Sequence, residues 1–272
     1  MDEELTKNKE ISTIEKQKEK IPVLYLSCGI YDEKGNLHRE VTLSKMTGRD
    51  RKEIASQDVM RNGGRVITTL LTNCIKTLGD LDLSNREHKT KLIREMLSAD
   101  RTYLILQLRK ISIGNSILLN LTCPNCNEKN EFDFNIDEIE VKPLEKEEFY
   151  REGNYERIMT IDLPEYNANA VLRYPQGYDE EIIFPLIRSN PVEAGQKMLL
   201  RCLKEFNGQT TFPSNFLDDM EVGILDALTD GFISRQPGPD IKPTIECFSC
   251  RQNIRVEVSG VDFLFSPTRR GR

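Results

Sequence analysis

The pattern of apolar and polar positions predicts a hairpin followed by helices in the first part of the chain. Residues 22–47 combine two strand-like runs with turn residues around Gly35, which is typical of a β-hairpin. Residues 64–79 and 85–110 instead place their apolar side chains at helical spacing. We therefore expect residues 21–115 to form one hairpin and a helical region.

A second mixed pattern follows in residues 143–242. Strand-like runs at 158–163 and 168–174 are close enough in sequence to predict another hairpin. The charged residues 143–155 indicate a linker or an exposed helix. Helical spacing then occurs in three segments, at 180–187, 191–206 and 216–232.

Two Cys-x-x-Cys turns stand out, each lying between strand-like residues. Cys123 and Cys126 form the first pair, and Cys247 and Cys250 form the second. A tight turn with this spacing can aim both sulfurs at one point. Two such turns together make a tetrahedral four-thiolate site, which suits zinc. We interpret the four cysteines as ligands of one structural zinc ion in an interrupted zinc ribbon.

Two alternatives to a shared zinc ion stay open, namely independent reduced thiols and a disulfide or redox role. The two turns are 120 residues apart, whereas a usual ribbon has roughly 15–20 residues between them. Redox dithiols favour helix N-termini, where the thiol pKa is lowered, and neither pair opens a predicted helix. Four thiolates would fill the tetrahedron, so the expected metal site is closed and non-catalytic.

The predicted fold class is α+β, with a helical N-terminal part plus a split zinc-ribbon-like β element that carries an α+β insertion. The first residues mix Lys and Glu with few apolar anchors, which predicts a disordered or partner-ordered arm. The expected organisation is an arm (1–20), a hairpin plus helical region (21–115), a split zinc ribbon (116–142 and 243–265), an α+β insertion (143–242) and a basic tail (266–272).

Composition narrows the classes of function. The 272 residues carry a net charge of −6, which argues against nucleic acid as a partner because duplex-binding proteins present a basic face. No apolar run approaches the roughly 18–20 residues of a membrane span, and the charged N-terminus lacks the apolar core of a secretory signal. We expect neither membrane insertion nor secretion. Cys28, Cys74 and Cys202, outside the two turns, are expected to be small buried hydrophobes.

No catalytic constellation is visible in the sequence. His38 and His88 are the only histidines, and neither has a nucleophile or metal-ligand motif beside it. Asp100, Arg101 and Arg109 lie in the predicted helical region, where they form either a structural ion-pair cluster or a solvated surface group. We therefore expect a protein that is not an enzyme and has no small-molecule substrate.

The order of several short motifs resembles a known family, the baseplate hub assembly chaperones and tail assembly proteins of contractile-tailed, T-even-type bacteriophages. The resemblance covers roughly residues 29–265. Its landmarks are GIYDEKG at 29–35, MTGRD at 46–50, DRTYL at 100–104, LRKISIG at 108–114, CPNC at 123–126, YPQGYD at 174–179 and CFSC at 247–250. The last motif departs from the expected pattern, because Phe248 stands where proline is commoner.

The resemblance implies a non-enzymatic role in building the baseplate or central hub of a contractile tail. The implied partners are other tail, baseplate or hub proteins, and the implied location is the bacterial host cytoplasm during assembly. Whether the protein is a transient chaperone or stays in the virion baseplate is left open. The zinc ribbon by itself supports an alternative, an adaptor that binds nucleic acid or transcription machinery; an enzyme with a structural zinc is a third interpretation.

Overall fold

The computed structural model describes residues 22–146, 148–151, 154–187, 189–241 and 244–255. This part of the chain is α+β, with eight α-helices and several small antiparallel sheets. The helices are α1 (Gly48–Ile54), α2 (Gln57–Met60), α3 (Gly63–Cys74), α4 (Arg86–Glu95), α5 (Ser98–Ser112), α6 (Gly177–Ile187), α7 (Pro191–Cys202) and α8 (Val222–Ser234). The strands are β1 (Val23–Tyr31), β2 (Leu37–Leu43), β3 (Ile75–Leu78), β4 (Ser116–Thr122), β5 (Lys129–Asn135), β6 (Val141–Lys142), β7 (Glu148–Arg151), β8 (Asn154–Leu163), β9 (Ala168–Arg173), β10 (Leu203–Phe206), β11 (Gly238–Pro239), β12 (Thr244–Glu246) and β13 (Asn253–Arg255).

The first predicted hairpin is present as β1 and β2, which pair antiparallel. The Asp32 carboxylate accepts hydrogen bonds from the backbone N–H groups of Lys34 and Asn36 and so closes the turn. The register shifts between Tyr25 and Ile30, and Gly29 within this irregular stretch has φ +72°. A Cβ there would lie 2.6 Å from a backbone oxygen, so the bulge requires glycine.

Two predicted helices are wrong at their C-terminal ends, and both fail in the same way. The helix predicted over 64–79 ends at Cys74, and β3 follows at once to pair with β2. The helix predicted over 191–206 ends at Cys202, and β10 then pairs with β9. In each case, the next residues satisfy their backbone groups in a sheet edge formed by distant strands. Their apolar spacing is therefore compatible with either element.

Other element predictions are corrected or confirmed by the structure. Residues 143–155 contain strand β7 where a linker or exposed helix was expected. The helix predicted from residue 216 begins only at Val222; a run of turns precedes it, in which the Asn215 side chain donates to the Asp219 carboxylate. The hairpin predicted at 158–174 is present as β8 and β9. The helical region 85–110 is present as α4 and α5.

Two large apolar cores lie side by side. The first packs the β1–β2–β3 sheet against α3, α4 and α5, with Leu70, Leu71 and Leu104 fully buried. The second packs the β10–β9–β8–β7 sheet against α7 and α8, and it also takes in Cys28 and Leu97 from the N-terminal part. Because the N-terminal part contributes to both cores, the insertion is packed directly onto it.

The two ends of the insertion lie next to each other. Strand β6 pairs with β11, and the Lys142 ammonium lies 3.1 Å from the Asp240 carboxylate across this short pairing. Chain entry and chain exit are thus held together beneath the two cysteine turns. The expected arm (1–20), the basic tail (266–272) and the end of the second ribbon half lie outside the described residues. Of the described helices, none is both long enough and apolar enough to span a bilayer.

Candidate metal centre

The first cysteine turn joins β4 to β5. These strands pair from Ser116 to Thr122, and Thr122 lies opposite Lys129. The Cys123 N–H donates to the Glu128 carbonyl at 2.9 Å, and the Asn127 N–H donates back to the Cys123 carbonyl at 2.9 Å. Asn127 adopts φ +59°, a left-handed conformation that asparagine tolerates better than most residues.

The second cysteine turn repeats this geometry at an offset of 124 residues. The last residue of β12, Glu246, pairs with the first residue of β13, Asn253. The Cys247 N–H donates to the Gln252 carbonyl at 2.9 Å. The Arg251 N–H donates to the Cys247 carbonyl at 3.1 Å, and Arg251 adopts φ +62°. The two turns are therefore the same local structure, although their sequences share little besides the cysteines.

The two turns bring their four sulfurs together, as the sequence predicts. The Sγ atoms of Cys123 and Cys250 are 3.6 Å apart, and those of Cys126 and Cys247 are 3.7 Å apart. All four sulfurs lie within 4.8 Å of one another. Zinc about 2.3 Å from each sulfur of a regular tetrahedron would give sulfur–sulfur edges of about 3.8 Å. The arrangement therefore fits a four-thiolate metal site.

The same sulfur–sulfur distances show that the four cysteines are not joined by disulfide bonds. A disulfide bond joins its sulfurs at about 2.05 Å, well below the observed separations. All seven cysteines have free thiols. Cys28, Cys74 and Cys202 are buried in the apolar cores, as expected for small hydrophobic residues. The paired turns lie between strands, which does not provide the helix N-terminus typical of a redox dithiol.

Electrostatics at the cluster favours a bound cation. The backbone N–H of Cys250 points at the Cys247 sulfur and, with the N–H of Ser249, lowers the pKa of that thiol to about 6. The pKa of Cys126 is also lowered by a backbone N–H, from Glu128, but burial and the three neighbouring sulfurs raise it to about 12. Four sulfurs this close cannot all ionise unless positive charge compensates them, which a divalent metal would supply.

A buried asparagine holds the two turns against each other. Asn130 is 2% exposed and lies on β5, directly after the first turn. Its Oδ1 accepts from the Phe248 N–H at 2.9 Å, and its Nδ2 lies 3.6 Å from the Cys247 sulfur. Side chains that fix metal ligands in this way are as much a part of a site as the ligands themselves. The sequence analysis missed this residue.

The departure at Phe248 has a structural explanation. Its ring stacks on that of Phe132 from the first hairpin, with ring centroids 4.7 Å apart and an interplanar angle of 29°. Proline at this position would tighten the turn but would remove the N–H that Asn130 accepts. Phe248 thus makes the turn less rigid than proline would, but it adds a ring contact and a backbone hydrogen bond between the two hairpins.

Asp100 is buried and binds the β1 bulge. Its two carboxylate oxygens accept from the backbone N–H groups of Cys28 at 3.1 Å and Gly29 at 2.7 Å. Arg157 donates to the carbonyls of the same two residues, at 2.8 and 3.0 Å. Burial raises the pKa of Asp100, while these N–H groups and the Arg157 charge oppose that rise. Asp100 is therefore buried and not solvated, and it binds the same bulge as Arg157 of the insertion.

Arg101 is fully buried at the junction of four helices. Its guanidinium donates from Nε to the Glu180 carboxylate at 2.8 Å and from Nη1 to the Ile93 carbonyl at 2.8 Å. Its Nη2 lies 3.1 Å from the Thr68 hydroxyl. A Cβ on Gly177 would lie 2.5 Å from Nη1, so only glycine fits over this side chain. Arg101 therefore joins α3, α4 and α5 to α6 of the insertion.

Arg109 lies two turns further along α5 and does not contact the other two predicted residues. It is buried, and its Nη2 donates to the Ser116 carbonyl at the start of β4. Its Nε and Nη1 atoms are buried without a hydrogen-bond partner in the described part of the chain. Burial lowers the pKa of this guanidinium. All three residues are thus buried, but each binds a different part of the structure and they do not form one ion-pair cluster.

A family model described as T4 bacteriophage base plate protein matches residues 11–266 of this chain. The chain belongs to that family. The match spans nearly the whole sequence, including both cysteine turns and the insertion between them. No curated protein and no solved structure gives a match.

Membership in the base plate protein family supports a structural protein of the phage baseplate. It agrees with the resemblance inferred from the order of short motifs, and it is a likeness of the whole chain rather than of one site. In this base plate protein, the four clustered cysteines could hold a metal ion, and Arg101 joins α6 of the insertion to the N-terminal helices.

Proposed function

We propose that the protein is a non-enzymatic structural or assembly protein of a contractile phage tail, acting at the baseplate or central hub through protein–protein contacts. A single structural zinc ion, held by Cys123, Cys126, Cys247 and Cys250 in a split zinc ribbon, would fix its shape. The observation that carries the proposal is the family match over residues 11–266. The partners would be other tail, baseplate or hub proteins, met in the host cytoplasm during assembly.

The geometry of the cluster supports a structural rather than a catalytic metal. Four sulfurs at tetrahedral separations occupy all four positions that zinc usually offers, so no water or substrate could bind. Metal binding would then contribute to folding by tying together two hairpins that are 120 residues apart. The buried residues Asp100, Arg101 and Arg109 would support the same rigid scaffold.

The alternative role as a nucleic-acid adaptor finds no support in the charge of the two hairpins. Residues 116–135 and 244–255 together carry four acidic side chains and three basic ones. A ribbon that binds nucleic acid should present an excess of Lys and Arg, because phosphate contacts dominate affinity. We therefore retain the baseplate role as the proposal.

Affinity capture from infected cells tests the proposed role. A tagged chain produced during infection should recover baseplate or hub proteins, identified by mass spectrometry against an untagged control. Recovery of host transcription proteins in place of tail proteins would refute the proposal. Mass spectrometry of purified particles would then separate a retained component from a transient assembly factor.

Replacing Asn130 with Ala is expected to weaken zinc binding by about 10–100-fold, the usual effect of losing a side chain that orients ligands. The Phe248 N–H would lose its acceptor, and the Cys247 sulfur would lose a neighbouring donor. Competition with a chromophoric chelator measures this affinity.

Asn125→Ala is the matched control for that experiment. Asn125 also donates to a cluster sulfur, that of Cys250 at 3.6 Å, but it is exposed and, among the described residues, forms no hydrogen bond with the backbone of the other turn. We expect a smaller effect there. Equal zinc affinities in both variants and the parent would show that Asn130 does not orient the cluster.

A further inference from the structure

A groove with a strong basic character runs along α3 and α4 on a protein whose net charge is −6. Three adjoining cavities of about 670, 320 and 790 Å³ make up the groove, and Arg86 lines all three. Eight Lys and Arg side chains line these cavities, against four Asp and Glu side chains. Positive charge is therefore concentrated on one face of an otherwise acidic chain.

Two of the four acidic residues that line the groove already form ion pairs with its arginines. The Glu53 carboxylate accepts from Arg86 at 2.6 Å and from Asn73 at 2.8 Å. The Glu181 carboxylate accepts from Arg94 at 2.9 Å and from a threonine hydroxyl at 2.7 Å. These two carboxylates are therefore not free to neutralise the other cations of the groove.

Three of those cations have no carboxylate within ion-pair distance among the described residues. Arg49 and Lys76 line the first cavity, and Arg65 lines the smallest one. All three are exposed, and none takes part in a salt bridge among the described residues. Nearby Lys89 is partly buried, and burial lowers its pKa, so an incoming anion would restore a favourable environment for its charge.

An unpartnered hydroxyl gives independent support for a ligand in this groove. Thr72 lines two of the cavities and is 3% exposed. Its Oγ1 is buried with no hydrogen-bond partner in the described part of the chain. Buried hydroxyls nearly always have a partner because leaving one unpaired is costly. A ligand with acceptor oxygens would satisfy it.

We propose that this groove binds an acidic polypeptide segment of a partner protein. Glutamate or aspartate carboxylates would form charge-assisted hydrogen bonds with Arg49, Arg65 and Lys76. A peptide can place its carboxylates opposite these cations and avoid Glu53 and Glu181, whereas a nucleic-acid backbone carries a charge at every phosphate. Among the described residues, Tyr178 and His88 are the aromatic side chains that line the three cavities, and both lie in the same one, so stacking of successive bases has little support.

That the partner is a tail protein rests on the proposed function, whereas binding of an acidic peptide in the groove does not. Fluorescence anisotropy of labelled octaglutamate with the full chain tests the groove itself. We expect Arg65→Glu combined with Lys76→Glu to weaken peptide binding at least tenfold. Lys34→Glu with Lys197→Glu, two exposed lysines outside the groove, produces the same change in net charge and should weaken it less than twofold.

The outcomes separate the groove from general electrostatic attraction. Equal weakening by the two double variants would overturn the proposal, as would tighter binding of labelled octathymidylate than of the peptide. Thermal unfolding checks that the variants are folded, and the corresponding Gln substitutions at the same positions replace any variant that is not. A positive peptide result with no tail protein captured from infected cells would count against the proposed function alone.

Discussion

Replacing Cys247 with Ser is expected to reduce bound zinc from about one ion per chain to nearly none and to destabilise the protein. Backbone N–H groups lower the pKa of its thiol to about 6, and its sulfur lies 3.7 Å from the Cys126 sulfur. Structural zinc contributes roughly 10–16 kcal/mol of apparent folding free energy in zinc-finger peptides. Because nearly all of the zinc is lost, this contribution to the stability of the two cysteine hairpins is expected to be lost with it.

Elemental analysis of the purified chain and its thermal melting measure this effect, with Cys202→Ala as the control. Cys202 is as deeply buried as Cys247 but lies in the second apolar core, away from the cluster. The control should lose some stability through its cavity while keeping its full zinc content. A Cys247→Ser protein with parental zinc content and melting temperature would contradict the shared site.

Replacing Arg101 with Met is expected to lower the free energy of unfolding by about 3–5 kcal/mol, the usual cost of removing one partner from a buried ion pair. Glu180 would keep a charge that is largely buried, and the Ile93 carbonyl would lose its donor. At about 2–4 °C per kcal/mol for a chain of this size, the melting temperature should fall by roughly 6–20 °C. Differential scanning calorimetry measures the change.

Arg86→Met is the matched control, because Arg86 makes an equally short ion pair at the surface. Its guanidinium lies 2.6 Å from Glu53, but 63% and 37% of the two side chains are exposed. Exposed pairs contribute about 0–1 kcal/mol, so the control should melt near the parent. Adding Glu180→Gln to Arg101→Met should recover part of the loss, since an unpaired amide is cheaper to bury than a carboxylate. Similar melting of both single variants would show that Arg101 contributes no more than a surface residue.

Local patterns in the sequence predict the elements whose determinants are local. The β1–β2 hairpin depends on its own turn, and the four cysteines can be recognised because each pair occupies one tight turn between strands. The helix ends at Cys74 and Cys202 could not be predicted in the same way. Ile75 pairs with Leu43, and Leu203 pairs with Leu172, so the change from helix to strand depends on residues far away in sequence.

The same distinction applies to the polar interior. Asn130 has its important partner 118 residues away, at Phe248. Arg101 and Glu180 are 79 residues apart, and neither residue alone signals that it will be buried. The sequence showed an adjacent acid and base at 100 and 101, yet these two residues do not pair with each other. Nothing in their spacing identifies the β1 bulge and Glu180 as the groups they bind.

The separation of the two cysteine turns along the chain imposes an order of events during translation. Ribosomes add about 5–20 residues per second, so the 120 residues between Cys126 and Cys247 delay the second turn by roughly 6–24 s. During that interval, the nascent chain carries two thiols without the sulfurs that later surround them. Closure of the cluster therefore has to wait until the whole insertion has been synthesised.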